Sequence, residues 1–276
     1  MSNKKIMLIP DVHGRTFWKE AINIVDNDEY EKIVFMGDYL DPYPHEGITQ
    51  EESIVNFEDI LDFKKKHMDK VVLLLGNHDC GYIWESVCSS RRMKRFYSDI
   101  SNMFRSNIDL FDIAYSTKTD NQKYLITHAG VHKAWLDRFI DYIGAKATYD
   151  DIDIFLNNVL HSKAYDDALE IFLGIYSYFR GWLGDNYGSC IWADVREWSE
   201  ELPNAELNKE LGYFQIFGHT QLESNPIVQD QFACLDCRRY FILDGDKLKD
   251  KLQLSHELEH PVPDLSEFEY VLYEEQ

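Results

Sequence analysis

No run of apolar residues in this chain approaches the roughly 18 needed to cross a bilayer. The apolar stretch nearest the N-terminus, residues 6–10, is also too short for the hydrophobic region of a secretion signal. Basic residues are scarce: 28 Lys and Arg stand against 49 Asp and Glu, a formal net charge of -21. A surface this negative repels phosphate backbones and anionic lipid, so nonspecific nucleic-acid binding and membrane attachment are disfavoured. Cysteines are few. Cys80, Cys88, Cys190, Cys234 and Cys237 form an odd, scattered set that makes no disulfide framework. Cys234 and Cys237 are a lone C-x-x-C without the second pair of a structural zinc site, and after the apolar run 231–235 they read as packing residues. Repeats, low-complexity stretches and clear linkers are missing as well. These absences point to a soluble protein of a reducing compartment, the cytoplasm. The 45% of apolar residues is enough for a sizeable core.

What is present is an alternation. Residues 5–9, 32–36 and 71–75 are short, continuously apolar runs, as buried parallel strands are. Between them, 17–25 and 51–63 carry helical spacing through Phe17, Ala21, Ile22 and Val25, then Ile54, Val55, Phe57, Ile60 and Leu61. Strand and helix in turn predict a layered α/β fold. Two more strands are predicted at 123–127 and 213–217, with a helical insertion at about 134–181 between them, expected to cover one side of the site. Short runs at 227–228, 232–235 and 240–243 read as strands of a second sheet, and 256–276 as an acidic tail following a domain of residues 1–255.

Each long-range strand ends in polar residues. Asp11 and His13 follow the first, Gly37–Asp38 the second, and Gly76–Asn77–His78–Asp79 the third; His128–Ala129–Gly130 and Gly218–His219–Thr220 follow the next two. Open α/β sheets bind ligands beyond the carboxyl ends of their strands, so these side chains are expected at one edge. Singly, each motif is more often a turn or loop than a metal site. Together, Asp11, His13, Asp38, Asn77, His128 and His219 supply the carboxylate, imidazole and amide donors that two neighbouring divalent ions require. A donor set without thiolate suits Mn, Fe, Zn, Ni or Mg, of which Mn is preferred here. Water held between two such ions loses its proton near neutral pH and attacks phosphorus, while the ions neutralise the phosphoryl oxygens. His78 is the natural proton donor to the leaving oxygen, oriented by Asp41.

The ordered set DVHG (Asp11–Gly14), GDYLD (Gly37–Asp41), GNHD (Gly76–Asp79), HAG (His128–Gly130) and GHT (Gly218–Thr220) resembles the calcineurin-like metallophosphoesterase superfamily. With Trp192–Ala193–Asp194, it is most similar to the phosphoprotein phosphatase branch, which holds serine/threonine phosphatases and symmetrical diadenosine tetraphosphatases. The resemblance implies a two-sheet β-sandwich flanked by helices, four layers in all. It further implies that Asp11 and His13 hold a first metal, that Asp38 bridges, and that Asn77, His128 and His219 hold a second, with His78 as proton donor backed by Asp41.

The departures concern the substrate. That branch follows GDxxD with a phosphate-gripping arginine, where this chain has Pro42, and often precedes GNH with another, where it has Leu75. GNHE is GNHD here, HGG is HAG, and the second histidine of GHxH is Gln221. Arg15, Arg180, Arg196, Arg238 and Arg239 are candidate replacements, of which Arg196, two residues after Asp194, is preferred, with Asn77 also facing substrate. The expected function is a metal-dependent phosphoesterase acting on an ester or anhydride of a phosphoprotein, a nucleotide such as a dinucleoside polyphosphate, or a small metabolite. The rival is a binding protein that keeps the fold without turnover.

Overall fold

The computed structural model describes residues 5–23, 30–87, 90–180, 187–199 and 205–250. The expected acidic tail, Cys88 and residue 181 at the end of the insertion lie outside these described residues.

The first sheet is built on β1 (Lys5–Ile9), β2 (Tyr30–Phe35), β3 (Val71–Leu74) and the short β4 (Phe111–Asp112), all parallel. Helices α1 (Phe17–Ile22) and α2 (Gln50–Lys66) connect the first three strands, and α3 (Asn77–Ile83) and α4 (Tyr97–Ser106) connect the third to the fourth. Thr49 fixes the start of α2 with a capping box: its hydroxyl accepts the Glu52 N–H, and the Glu52 carboxylate accepts the Thr49 N–H. Phe57, Ile60 and Leu61 of α2 are buried, whereas Val55 faces solvent.

The second sheet begins with the antiparallel pair β5 (Ala114–Lys118) and β6 (Lys123–Thr127). It continues in parallel through β7 (Phe214–Phe217) and β9 (Phe232–Cys234), with β8 (Ile227–Val228) antiparallel at its edge. One expectation is corrected. The 240–243 run becomes β10 (Phe241–Asp244), and it joins the first sheet rather than the second, antiparallel to β1 with Lys5 opposite Asp244. β11 (Lys247–Asp250) then closes that edge. β1 had a free side and β10 carries apolar residues on both faces, so either sheet satisfied its pattern.

Alternation along β1 and β2 shows how the layers stack. Ile6, Leu8 and Val34 meet Ile126, Ile216, Phe217 and Phe232 in a core between the sheets. Met7, Ile9, Ile33 and Phe35 face outward onto α1 and α2 through Trp18, Phe57 and Ile60. Both faces are covered, which is why these strands read as continuous apolar runs. The insertion forms α5 (Lys133–Ile143), α6 (Ile152–Leu160) and α7 (Asp166–Leu173). Trp135, Phe139, Leu156 and Leu169 extend the outer core, and Asn157 pins α6 to the start of β5 by accepting the N–H groups of Ile113 and Ala114 (2.9 and 3.1 Å).

Candidate metal centre

Every motif residue sits just past a strand end. β1 presents Asp11 and His13, β2 presents Asp38 and Asp41, β3 presents Asn77 and His78 on the first turn of α3, β6 presents His128 and β7 His219. All eight are buried. Asp11, His13, Asp38, Asp41 and His219 have φ of 29°, 44°, 55°, 58° and 63°, the left-handed region that side chains disfavour. Such strain persists only where the surroundings fix it. Here the loops are tied to one another: the His13 N–H donates to the Asp38 carbonyl (2.6 Å), Gly14 to Tyr39 (2.9 Å) and Gly218 to His128 (2.7 Å). The Asp79 carboxylate accepts the N–H groups of Gly76, Asp38 and Tyr39 at 2.8, 2.7 and 3.1 Å, joining the β2 and β3 loops. Gly76 and Gly218 lie so close beneath the carboxylates of Asp38 and Asp11 that a Cβ at either would collide with a carboxylate oxygen.

The two oxygens of Asp38 are differently engaged. Oδ1 accepts the His78 N–H (3.0 Å), leaving Oδ2 3.4 Å from His13 Nε2 and 3.6 Å from His128 Nε2. His13 Nδ1 lies 2.9 Å from the Leu40 carbonyl and His128 Nδ1 2.8 Å from that of Met36. A carbonyl can only accept, so both rings carry their proton on Nδ1 and turn an Nε2 lone pair inward. His128 Nε2 is then 3.0 Å from Asn77 Oδ1 and 3.2 Å from His219 Nδ1, which is itself 3.0 Å from Asn77 Oδ1. His128 Nε2 and Asn77 Oδ1 thus face each other as two acceptors, which is unfavourable unless a cation sits beside them. With metal–ligand distances of about 2.1 Å, neighbouring ligand atoms stand roughly 3.0 Å apart at a right angle and 3.4 Å apart at a tetrahedral one, so the spacing fits a cation. Two groups of donors form, His13–Asp38–His78 and Asp38–His128–His219, and they share Asp38. Asp11 belongs to neither: both of its oxygens lie at the His219 N–H (3.0 and 3.1 Å).

Burial pushes the imidazoles of His13, His128 and His219 below the usual histidine range, so they are neutral and available as ligands. Burial would raise Asp38, but the His78 N–H on Oδ1, together with positive charge placed among its imidazole neighbours, pulls it below the usual aspartate range. Burial, with the carboxylates of Asp236 and Asp38 adding to it, raises Asp11 well above the ordinary aspartate range. Beside this cluster, His78 Nδ1 lies 2.7 Å from Asp41 Oδ2, and the Tyr82 hydroxyl donates to the other oxygen while accepting the Met93 N–H (2.8 Å). Asp41 is fully buried, so His78 has one fixed orientation.

Residues 4–221 match the family model described as calcineurin-like phosphoesterase. The chain belongs to that family. A probable serine/threonine-protein phosphatase of Encephalitozoon cuniculi (strain GB-M1) is 28% identical over 136 residues, 48% of this chain and 28% of that relative, so the match takes in just over a quarter of the relative's length. Among solved structures, the cold-active protein-tyrosine phosphatase of a psychrophilic Shewanella species superposes with a TM-score of 0.54 at 18% identity, over 89% of this chain and 76% of that one. Another structure of a cold-active protein tyrosine phosphatase gives 0.53 at 20% identity, over 89% and 75%. These likenesses are of fold. As in other calcineurin-like phosphoesterases, two mixed sheets are flanked by helices.

The arginines of this calcineurin-like phosphoesterase are not arranged as its sequence suggests. Arg196 does not point its guanidinium at the cluster: Nε and Nη2 bind Asp194 (2.6 and 2.9 Å), Nη2 also reaches the Phe179 carbonyl, and the group lies over the Phe179 ring. Its sequence neighbour Asp194, which suggested it, is its partner. Arg15 and Arg238 share Glu46 (2.7 and 3.1 Å), and Arg239 binds Asp250. Arg180 pairs with Asp194 (2.9 Å) near His219, where its charge helps lower that ring. The arginine beside His78 is Arg91, missed from sequence because it follows no strand and no motif; Nη2 lies 3.4 Å from His78 Nε2. Asp236 was also missed. It follows β9 and is buried, and burial raises its carboxyl to about 6. A carboxylate two residues past an apolar strand was the available signal. The C-x-x-C around it is buried and unbridged, and Cys234 Sγ donates to the Gly218 carbonyl (3.4 Å) beneath His219. Among the described residues, no helix is long and apolar enough to cross a membrane.

Proposed function

We propose that this chain is a two-cation phosphoesterase that hydrolyses a phosphate ester or anhydride. The observation that carries this reading is Asp38 Oδ2, set between His13 Nε2 and His128 Nε2 where a bridging carboxylate belongs. Asp11 and His13 would hold one cation, Asn77, His128 and His219 the other, and Asp38 both. Manganese suits the set best, and iron, zinc, nickel or magnesium suit it too. Bound there, the cations would acidify water and neutralise the phosphoryl oxygens.

The rest of the chemistry belongs to the protein. Asp41 holds His78 through Nδ1, so Nε2 is the atom that delivers a proton to the departing oxygen. Tyr82 fixes Asp41 in turn. Asn77 sits where it meets both cation and substrate. A phosphoprotein is the preferred substrate class, supported by the name of the relative; a nucleotide such as a dinucleoside polyphosphate or a small phosphorylated metabolite is second. Four buried, unbridged cysteines among the described residues support a reducing compartment, read as the cytoplasm.

The test is metal content together with hydrolysis of an aryl phosphate, with Mn²⁺ and with chelator. Turnover that needs metal, and that falls in His78→Ala while metal is retained, is expected. Two bound cations with no turnover of monoesters, diesters or anhydrides would leave the chain as a binding scaffold.

A further inference from the structure

Arg91 lies in the segment between α3 and α4. We propose that it grips the phosphoryl group of the substrate and that it selects for dianionic monoesters. This rests on the phosphoesterase reading above.

Four observations place the residue. First, its guanidinium stands at the cluster: Nη2 is 3.4 Å from His78 Nε2 and Nε donates to the Asp41 carbonyl at 3.3 Å. Second, its flat face lies 3.8 Å from the centre of the Tyr43 ring, whose edge packs on His13. Stacking of this kind orients the planar group and leaves its N–H edge free to bind oxygen. Third, its partners are a carbonyl, a hydroxyl (Ser90 Oγ, 3.5 Å) and a ring nitrogen, all distant, and among the described residues no carboxylate pairs with it. Arg15, Arg180, Arg196, Arg238 and Arg239 all have such a carboxylate. Fourth, Arg91 has φ of 59° and shares the left-handed backbone of the cluster residues.

A phosphoryl group bound here would take the Arg91 N–H groups from Ser90 Oγ and His78 Nε2, two weak acceptors, and give them two anionic oxygens. His78 Nε2, no longer facing the guanidinium, would then carry the proton that it passes to the leaving oxygen. A monoester has three non-bridging oxygens and a diester two, so the arginine outside the cation cluster matters more for the monoester.

The experiment uses manganese-loaded wild type, Arg91→Ala, Arg91→Lys, Arg91→Gln, and the surface variant Arg95→Ala, whose side chain is 77% exposed. Inorganic phosphate binding is measured by calorimetry, bound metal by elemental analysis, and kcat/KM for an aryl monoester and a bis-aryl diester. Arg91→Ala and Arg91→Gln should weaken phosphate binding and monoester kcat/KM roughly 10- to 100-fold with metal unchanged. Diester kcat/KM should fall by less than about threefold, Arg91→Lys should be intermediate, and added ethylguanidinium should partly restore Arg91→Ala. Arg95→Ala should match wild type. Phosphate binding within about threefold of wild type in metal-loaded Arg91→Ala overturns the proposal, as do equal losses on both esters or a wild type that binds no phosphate. If Arg91→Ala does not fold, the Lys and Gln variants decide by the same readings. A wild type that binds phosphate through Arg91 but hydrolyses nothing refutes the phosphoesterase reading alone.

Discussion

Asp38 follows the end of β2 and is held by the next loop: its own N–H donates to the Asp79 carboxylate, and its Oδ1 accepts the N–H of His78. Arg91 lies between α3 and α4 and is held by a carbonyl, a hydroxyl and the face of an aromatic ring. The contrast extends to their neighbours. The cation ligands stand on loops tied to one another at the strand ends, whereas Arg91 comes from a turn, and Arg180 and Arg196 from short 3-10 helices supported by Asp194 and Glu197. Strand ends fix where the ligand charge is placed; the guanidinium charge comes from segments outside the sheets.

The largest effect should come from the pinned side. Asp38→Ala removes the one carboxylate shared by both donor groups, so less than one equivalent of metal should remain and hydrolysis should drop to background. Retention of both cations would show that the two groups do not depend on Asp38. Next, His78→Ala should lower kcat on a poorly activated ester about a hundredfold or more at unchanged metal content. A substrate with a very acidic leaving group needs no proton, and there the loss should shrink; a uniform loss on both esters would remove His78 from that role.

On the supporting side, burial raises Glu197 to about 7 from its ordinary 4.5, while its carboxyl accepts the N–H groups of Gly188 and Asp194. Below about 4.5 the folded and unfolded chains both carry its proton, and between 4.5 and 7 only the folded chain does. Its contribution to stability is therefore complete at low pH and is lost as pH rises to about 7, by roughly 3 kcal/mol. Denaturant titrations of wild type and Glu197→Gln across that range should diverge; parallel curves would mean that the group is not buried with its proton. The smallest effect is expected in the insertion. Asn157→Ala leaves the Ile113 and Ala114 N–H groups unpaired and should cost about 1–3 kcal/mol without changing metal content.

The same contrast separates what the sequence makes legible from what it hides. His128 and His219 follow short, largely apolar runs that read as buried strands, so the sheet edge is legible in the order of residues. Asp236 obeys the same grammar after β9, but the flanking Cys234 and Cys237 give the segment the look of packing. The partner of β10 is hidden because its apolar residues satisfy either sheet; only pairing with β1 decides. Arg91 is hidden for another reason. A guanidinium on a long side chain reaches the site from a loop with no periodicity, and contact with His78, thirteen residues earlier, leaves no pattern in the chain. Arg196 looks suitable beside Asp194, yet adjacency produces an ion pair.

Asp79 occupies the position where the phosphoprotein phosphatase branch carries glutamate, and its carboxylate is fully committed to three main-chain N–H groups in two loops. A staple of this kind works before any ion arrives, so the cup need not be assembled by its contents. Descendants of such a chain could exchange the segment after α3, and with it the chemistry they recognise, while inheriting the cup unaltered.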